Sequence, residues 1–306
     1  MHFWAVVDRC TYARVVTPSK RLPRLRRSPD AVSPTAHYTG HVWARNGLGP
    51  AELDTRTGAV LHGLLAPLNA VSGRLGGPTL EGLLLGRHQV MDDLLHAAIK
   101  DGRISQVVEI ASGMSPRGQR FSEQYGEALA YVEADLPAMA DRKRRALEGL
   151  PRSTTHAVVD FDALREDGPG SLASVMASLD PTRGTAIITE GLLNYLPPEA
   201  VRTLWGRLGA ELARFPAGVY ISDLHLSGEL RGGAARGFGV LLAAFVRGRI
   251  HFHFADAPAA EKALHESGFD RVVLHRLDDP ALGVPARLHA GARLARVIEA
   301  WTEAPA

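Results

Sequence analysis

Apolar residues along this chain recur in two alternating periods, and the switch between them outlines a fold. From Thr79 to Lys100, Leu80, Leu83, Leu84, Val90, Met91, Leu94, Leu95 and Ala98 return every three or four positions, which predicts one helix with a broad buried stripe. Thr79 can cap its start and Gly102 can end it. Ala51 to about Leu75 reads as an earlier helix with breaks. From Ile104 onward, short apolar runs predict strands at about 104–110, 129–134, 156–160, 185–190, 218–223, 270–276 and 292–299, with helices between most of them. Such alternation is the mark of an α/β fold: a mostly parallel seven-stranded sheet with helices on both faces. Pro197-Pro198 opens one of these helices, and Val201, Leu204, Trp205, Leu208 and Leu212 form its core stripe.

Two strand ends carry more than packing. Val107-Val108-Glu109-Ile110-Ala111-Ser112-Gly113-Met114-Ser115-Pro116-Arg117-Gly118 is an apolar run ending in a turn of small residues, and Tyr131 to Pro137 is a second run ending on Asp135. A turn without bulky side chains lets backbone N–H groups approach a ligand, and a carboxylate at the next strand tip can accept both hydroxyls of a ribose. The turn lacks the glycine spacing that cradles a pyrophosphate, and Pro116 removes a donor, so a dinucleotide fits poorly. A ligand joining an amino acid to adenosine without phosphate suits it, as S-adenosylmethionine does. The alternative is an ordinary strand-to-helix turn with one glycine.

Arg87 falls in the middle of the Thr79–Lys100 apolar stripe. It is either a snorkelling side chain or a buried cation requiring an anion, for which a ligand carboxylate would serve.

Charge narrows the class of partner. Residues 1–30 hold seven Lys or Arg against Asp8 and Asp30, a net of +5 within an overall +2, so the remainder sits near −3. A near-neutral body argues against nucleic acid as partner, and no apolar stretch reaches membrane-spanning length. Residues 1–32 read as a basic, poorly ordered leader and 33–306 as the functional domain, with a helical cap at 33–103. The single Cys10 excludes an intrachain disulfide and fits a cytoplasmic location. The oligomeric state is open, a homodimer included.

A third segment makes a resemblance specific. Ile187-Ile188-Thr189-Glu190-Gly191-Leu192-Leu193-Asn194-Tyr195-Leu196-Pro197-Pro198, together with 107–118 and 131–137, resembles the leucine carboxyl methyltransferase family of class I methyltransferases, in particular its bacterial polyketide and natural-product O-methyltransferases. The resemblance spans about residues 33–301. It implies a Rossmann-like fold with S-adenosylmethionine as cofactor. By position, Gly113 would line the cofactor, Asp135 hold its ribose, Glu190 sit beside the methionine moiety, Arg87 bind the carboxylate, and Asp160 with Phe161 contact adenine. Glu109, Ala111, Leu136 and Gly191, in the same segments, complete the candidate cofactor set. Two positions depart from the family pattern: Ala111 replaces a glycine, and Ser115 an acidic residue.

The acceptor is less patterned. Tyr38 and Trp43, in a segment rich in groups able to close over a sulfonium, are candidate substrate walls, or else aromatic anchors for the cap. Residues 227–258 form an insertion read as a substrate lid, containing His251 and His253, which lie two apart and could orient a carboxylate. Without an acidic third ligand they make a poor metal site, and none is expected. Asn194 joins the substrate candidates; His225, Tyr195 and His37 are the catalytic ones. A carboxylate acceptor is already ionised and requires no base, whereas a phenol does. The expected activity is O-methylation of a carboxylate or phenol on a small natural product or peptide end. The competing readings are a cyclase or lyase that consumes the cofactor to methylthioadenosine, and a silent cofactor-binding module.

Overall fold

The computed structural model describes residues 34–229 and 251–303. The expected leader and most of the expected lid therefore lie outside the described residues. The chain runs α1 (Pro34–Arg45), α2 (Arg56–Arg74), α3 (Leu80–Lys100), β1 (Gln106–Ile110), α4 (Arg117–Tyr125), β2 (Ala130–Asp135), α5 (Pro137–Ala146), β3 (His156–Asp160), α6 (Leu172–Met176), β4 (Thr185–Thr189), α7 (Pro198–Leu212), β5 (Ala217–Leu224), α8 (Ala257–Glu266), β6 (Arg271–Arg276), α9 (His289–Ala292) and β7 (Arg296–Glu303).

The seven strands form one sheet in the order β3-β2-β1-β4-β5-β7-β6. The first five in that order pair in parallel, and β7 enters antiparallel between β5 and β6. Strand order reverses between β1 and β4, where the connections leave to opposite sides and open a crevice at the carboxyl edge. Both strands are buried along their whole length, as a central parallel strand covered on two faces must be.

One face is covered by α3, α4 and α9, the other by α6, α7 and α8. On the second face Trp205 of α7 is fully buried and stacks on Phe254 at 5.3 Å. The Thr79–Lys100 periodicity is the stripe of α3, capped by Thr79, whose hydroxyl accepts from the Gly82 N–H at 3.0 Å. Within the expected cap, α3 packs directly on the sheet, while α1 and α2 pack on each other outside it.

The last strand lies about four residues later than the expected 292–299. Residues 289–292 instead turn as α9 against α3, where a Cβ on Gly82 would meet the Leu288 carbonyl at 2.8 Å. That close approach uses Ala292 and Leu294 to fill the gap beside α3 before the chain can enter the sheet. Their apolarity serves a helix contact, which a strand pattern mimics over so short a run.

Candidate functional site

The turn after β1 is shaped by backbone conformation. Ala111 has φ +55°, the one positive-φ residue other than glycine among the described residues, and Gly113 follows at φ +52°. Left-handed backbone at a residue with a Cβ costs about 1–2 kcal/mol. The structure holds it there through the Ala111 N–H, which donates to the Ala134 carbonyl at 2.7 Å. The turn so formed presents an amide to β2: Gly113 N–H donates to Asp135 Oδ2 at 2.7 Å, while Leu136 N–H, next along the chain, donates to Oδ1 at 2.7 Å. Burial raises the Asp135 pKa, and these two amides oppose the rise. Asp135 remains partly open at the strand tip beside an exposed Leu136, with lone pairs left for further donors.

Asp160 and Phe161 stand next in register. Asp135 pairs with Asp160 across β2 and β3, and Phe161 N–H donates to the Asp135 carbonyl at 2.7 Å. The Asp160 side chain faces solvent and binds Arg144 at 2.9 Å, while the Phe161 ring is buried in the second-face core.

Ser115, at the family's acidic position, accepts from the Arg117 N–H at 3.2 Å through its hydroxyl. A short hydrogen-bonding side chain thus suffices to start α4 after Pro116.

Arg117 is the centre of the other half of the site. Its side chain is fully buried, with Nε on Asp92 at 2.5 Å, Nη1 on Glu109 at 2.7 Å and Nη2 on Glu190 at 2.7 Å. Burial alone would lower its pKa, but Asp92, Glu109 and Glu190 raise it well above the ordinary value. Glu190 also binds His88 Nδ1 at 2.9 Å and Arg87 Nε at 3.1 Å. Burial would raise the Glu190 pKa, yet His88, Arg117 and Arg87 hold it far below the carboxylate range. Arg87 spends Nη1 on Asp223 at 2.7 Å, and the other Asp223 oxygen accepts the Gly191 N–H at 2.7 Å. Glu109 is saturated by Arg117 and by the Tyr131 hydroxyl at 2.8 Å, so it supports Arg117 and has no free face toward a ligand. Five elements, α3, α4, β1, β4 and β5, are tied together by this one network.

Helix α1 lies across the opening. A Cβ on Gly113 would meet Ala36 at 3.4 Å, and the Tyr195 hydroxyl donates to Thr35 Oγ1 at 2.8 Å. His37 bonds Thr55 Oγ1 at 3.0 Å, and burial followed by Arg142 lowers its pKa. Tyr38 is completely buried, near Asn69 and stacked with His62, and burial pushes its pKa up to about 12. Trp43 is likewise buried, 4.7 Å from the His88 ring. Both expected substrate walls are therefore aromatic anchors, because their rings face the core instead of the opening.

The expected base is also inward. His225 is 4% exposed, donates Nδ1–H to the Leu294 carbonyl at 2.7 Å and faces Asp223 at 3.8 Å. Burial lowers its pKa, with Asp223 opposing. At the rim, Asn194 and His251 exchange main-chain and amide bonds at 3.0 and 2.7 Å, and His253 donates Nε2–H to the Leu196 carbonyl at 2.8 Å. The structure thus brings Asn194, Tyr195, His251 and His253 together beside the β4 end. Burial lowers the His253 pKa.

Arg117, His88, Asp92 and Asp223 were not singled out by their patterns. Each is an ionisable residue inside or beside an apolar run, the signal that did expose Arg87.

Comparison with known proteins follows this geometry. The leucine carboxyl methyltransferase family model matches residues 64–209. A Frankia alni protein, provisionally described as an S-adenosyl-L-methionine-dependent methyltransferase, is 38% identical over 156 residues, covering 49% of this chain and 52% of its own length. One of the same description from Mycolicibacterium vanbaalenii is 40% identical over 126 residues, covering 40% of this chain and 39% of its own length. This chain spans about half, or less, of those relatives. Two solved structures are similar in fold over most of the chain. A DUF574 family protein from Streptomyces avermitilis has a TM-score of 0.58 at 14% identity, covering 89% of this chain and 97% of that one. A protein provisionally described as a methyltransferase, from Thermobifida fusca, has a TM-score of 0.56 at 16% identity, covering 88% and 94%. Residues 64–209 thus match the leucine carboxyl methyltransferase family, within a chain whose fold is Rossmann-like.

Proposed function

We propose that this protein is an S-adenosylmethionine-dependent O-methyltransferase that esterifies a carboxylate on a small natural product or peptide end. The observation that carries the reading is the juxtaposition, at one sheet edge, of the Ala111–Gly113 turn with Asp135 and of the Arg87–Glu190 pair. The residues present fit such a cofactor. Ser112 Oγ, in the turn itself, is buried without a hydrogen-bond partner. Polar atoms in that state are expected where a ligand or ordered water completes the set.

Asp135 would hold the ribose hydroxyls, oriented by the Gly113 and Leu136 amides. Ser112 and Gly113 would line the turn beneath the amino-acid end, with Arg87 and Glu190 offering opposite charges to its carboxylate and ammonium. When bound, the cofactor supplies an electrophilic methyl group on a sulfonium. The chain contributes position, and α1 together with the 194–195 and 251–253 segments excludes water from the opening. Attack by an anion on a sulfonium annihilates charge, so a dry, aligned site provides much of the acceleration. A carboxylate acceptor is favoured over a phenol because His225 is buried, with one nitrogen committed to Leu294. Asn194 and His251 are the candidates to orient the acceptor.

The test is incubation with methyl-labelled S-adenosylmethionine and matched panels of carboxylic acids and phenols, read by mass spectrometry. S-adenosylhomocysteine with a labelled ester is expected. Methylthioadenosine formed without an acceptor would replace transfer by cyclisation, and absence of cofactor binding in calorimetry would remove the reading.

A further inference from the structure

Nine large apolar side chains are exposed among the described residues, and five of them, Val60, Leu64, Leu68, Val71 and Leu75, lie on α2 or at its end. Their spacing of four, four, three and four puts them on one stripe about 22 Å long at 1.5 Å per residue. Leu64 is 72% exposed and Leu75 82%. Scattered exposed leucines are ordinary, whereas a continuous stripe marks a contact face. The inner side of α2 is already used: Leu61 and Leu65 pack on the first-face core, and His62 binds Glu81 at 3.2 Å.

We propose that this stripe is a homodimer contact, with α2 of one copy packed antiparallel on α2 of a second across a two-fold axis. A two-fold contact must be self-complementary. Between Thr57 and Gly73 there is no Asp, Glu, Lys or Arg, so the face meets itself without like-charge repulsion. Exposed Ala59, Gly63 and Ala70 let the axes come close, and a Cβ on Gly63 would touch nothing within 4 Å in the single copy. Antiparallel pairing opposes the helix dipoles and keeps the two Arg74 side chains at opposite ends. Covering five such side chains removes roughly 100 Å² each, about 1,000 Å² over both copies, the lower bound for a specific interface. Charge decides against two other occupants. The leader carries seven Lys or Arg within residues 1–30, and α2 offers it no carboxylate. An anionic membrane surface calls for flanking basic residues, and α2 has only Arg56 and Arg74 at its ends.

The axis would pass near Pro67 and Leu68, setting Leu64 against the partner's Val71 and Val60 against the partner's Leu75. Sedimentation velocity on the full chain at micromolar concentration is expected to show a dimer. Leu64→Glu with Leu68→Glu is expected to raise the dissociation constant at least about 100-fold with unchanged circular dichroism. Val273→Glu, on the exposed β6 position, is expected to leave it unchanged. In a Cys10→Ser background, Leu68→Cys is expected to cross-link to itself under oxidation, and Val60→Cys only when combined with Leu75→Cys. A monomeric wild type, a dimer untouched by the double glutamate variant, or a monomer that co-floats with phosphatidylglycerol vesicles would overturn the proposal. Cross-linking by Val60→Cys alone would overturn the antiparallel arrangement.

Discussion

The two halves of the carboxyl edge are built by different physics. At the β1 and β2 tips, one carboxylate is held by two backbone amides, and a strained alanine shapes the turn that presents one of them. At the β4 and β5 tips, side-chain ions from five elements neutralise one another almost out of reach of water. The first half depends on local backbone geometry and leaves Asp135 with capacity for a ligand. The second locks the sheet to α3 and α4: Arg117, Glu109 and Asp223 are spent on neighbours, and Arg87 and Glu190 are held against each other at its edge. Their carboxylates respond oppositely: the surroundings raise the Asp135 pKa and lower that of Glu190.

The sharpest way to break the comparison is to remove the hub. Arg117→Met leaves Asp92, Glu109 and Glu190 buried without their shared cation and is expected to cost about 3–5 kcal/mol in urea denaturation. A loss below about 1 kcal/mol would mean that water reaches the network. Asp135→Ala is expected to leave stability nearly intact and to weaken binding of the proposed cofactor about 10- to 100-fold by calorimetry, because ribose donors lose a charged acceptor. Wild-type affinity would remove the ribose role.

Acid titration separates the halves by sign. Glu190 and Asp92 have lowered pKa values, so their stabilisation is present above the unfolded carboxylate range near about 4 and is lost as pH falls through the folded values. Asp135, with a raised value, contributes in the opposite sense: its penalty appears as pH rises through the folded pKa and is relieved by acid. The fall in denaturation midpoint between pH 6 and pH 3, set here as the test window, is expected to be shallower in Glu190→Gln and steeper in Asp135→Asn. Equal slopes in the two variants would contradict the contrast.

Ala111→Gly should relieve the left-handed strain at that position and stabilise by up to about 1 kcal/mol, read as a raised melting temperature. Asp160→Asn, at an exposed ion pair with Arg144, is expected to change stability by less than about 0.5 kcal/mol. A larger effect there would put Asp160 in the same class as the buried network.

Much of the fold was legible because burial imposes periodicity. The α3 stripe, its Thr79 cap, and the fully apolar β1 and β4 follow from one-dimensional patterns, and so does the Asp135 tip after a small-residue turn. Residues 292–295 lie before the last strand instead of within it, because Ala292, Leu294 and Ala295, buried in the core beside α3, mimic a strand start. Residue type left Tyr38 and Trp43 as either walls or anchors and made His225 a candidate base, since it names a possible chemistry without telling which way the side chain points.

By itself the sequence determined the layer architecture, the family resemblance and the position of the turn with its carboxylate, because hydrophobic period and small-residue spacing are local properties of the chain. Only the tertiary structure decided what balances Arg87. Its partners, Glu190 and Asp223, lie 103 and 136 residues away. No local pattern encodes which buried charges meet at that distance; the sheet order does, by bringing α3 over the ends of β4 and β5.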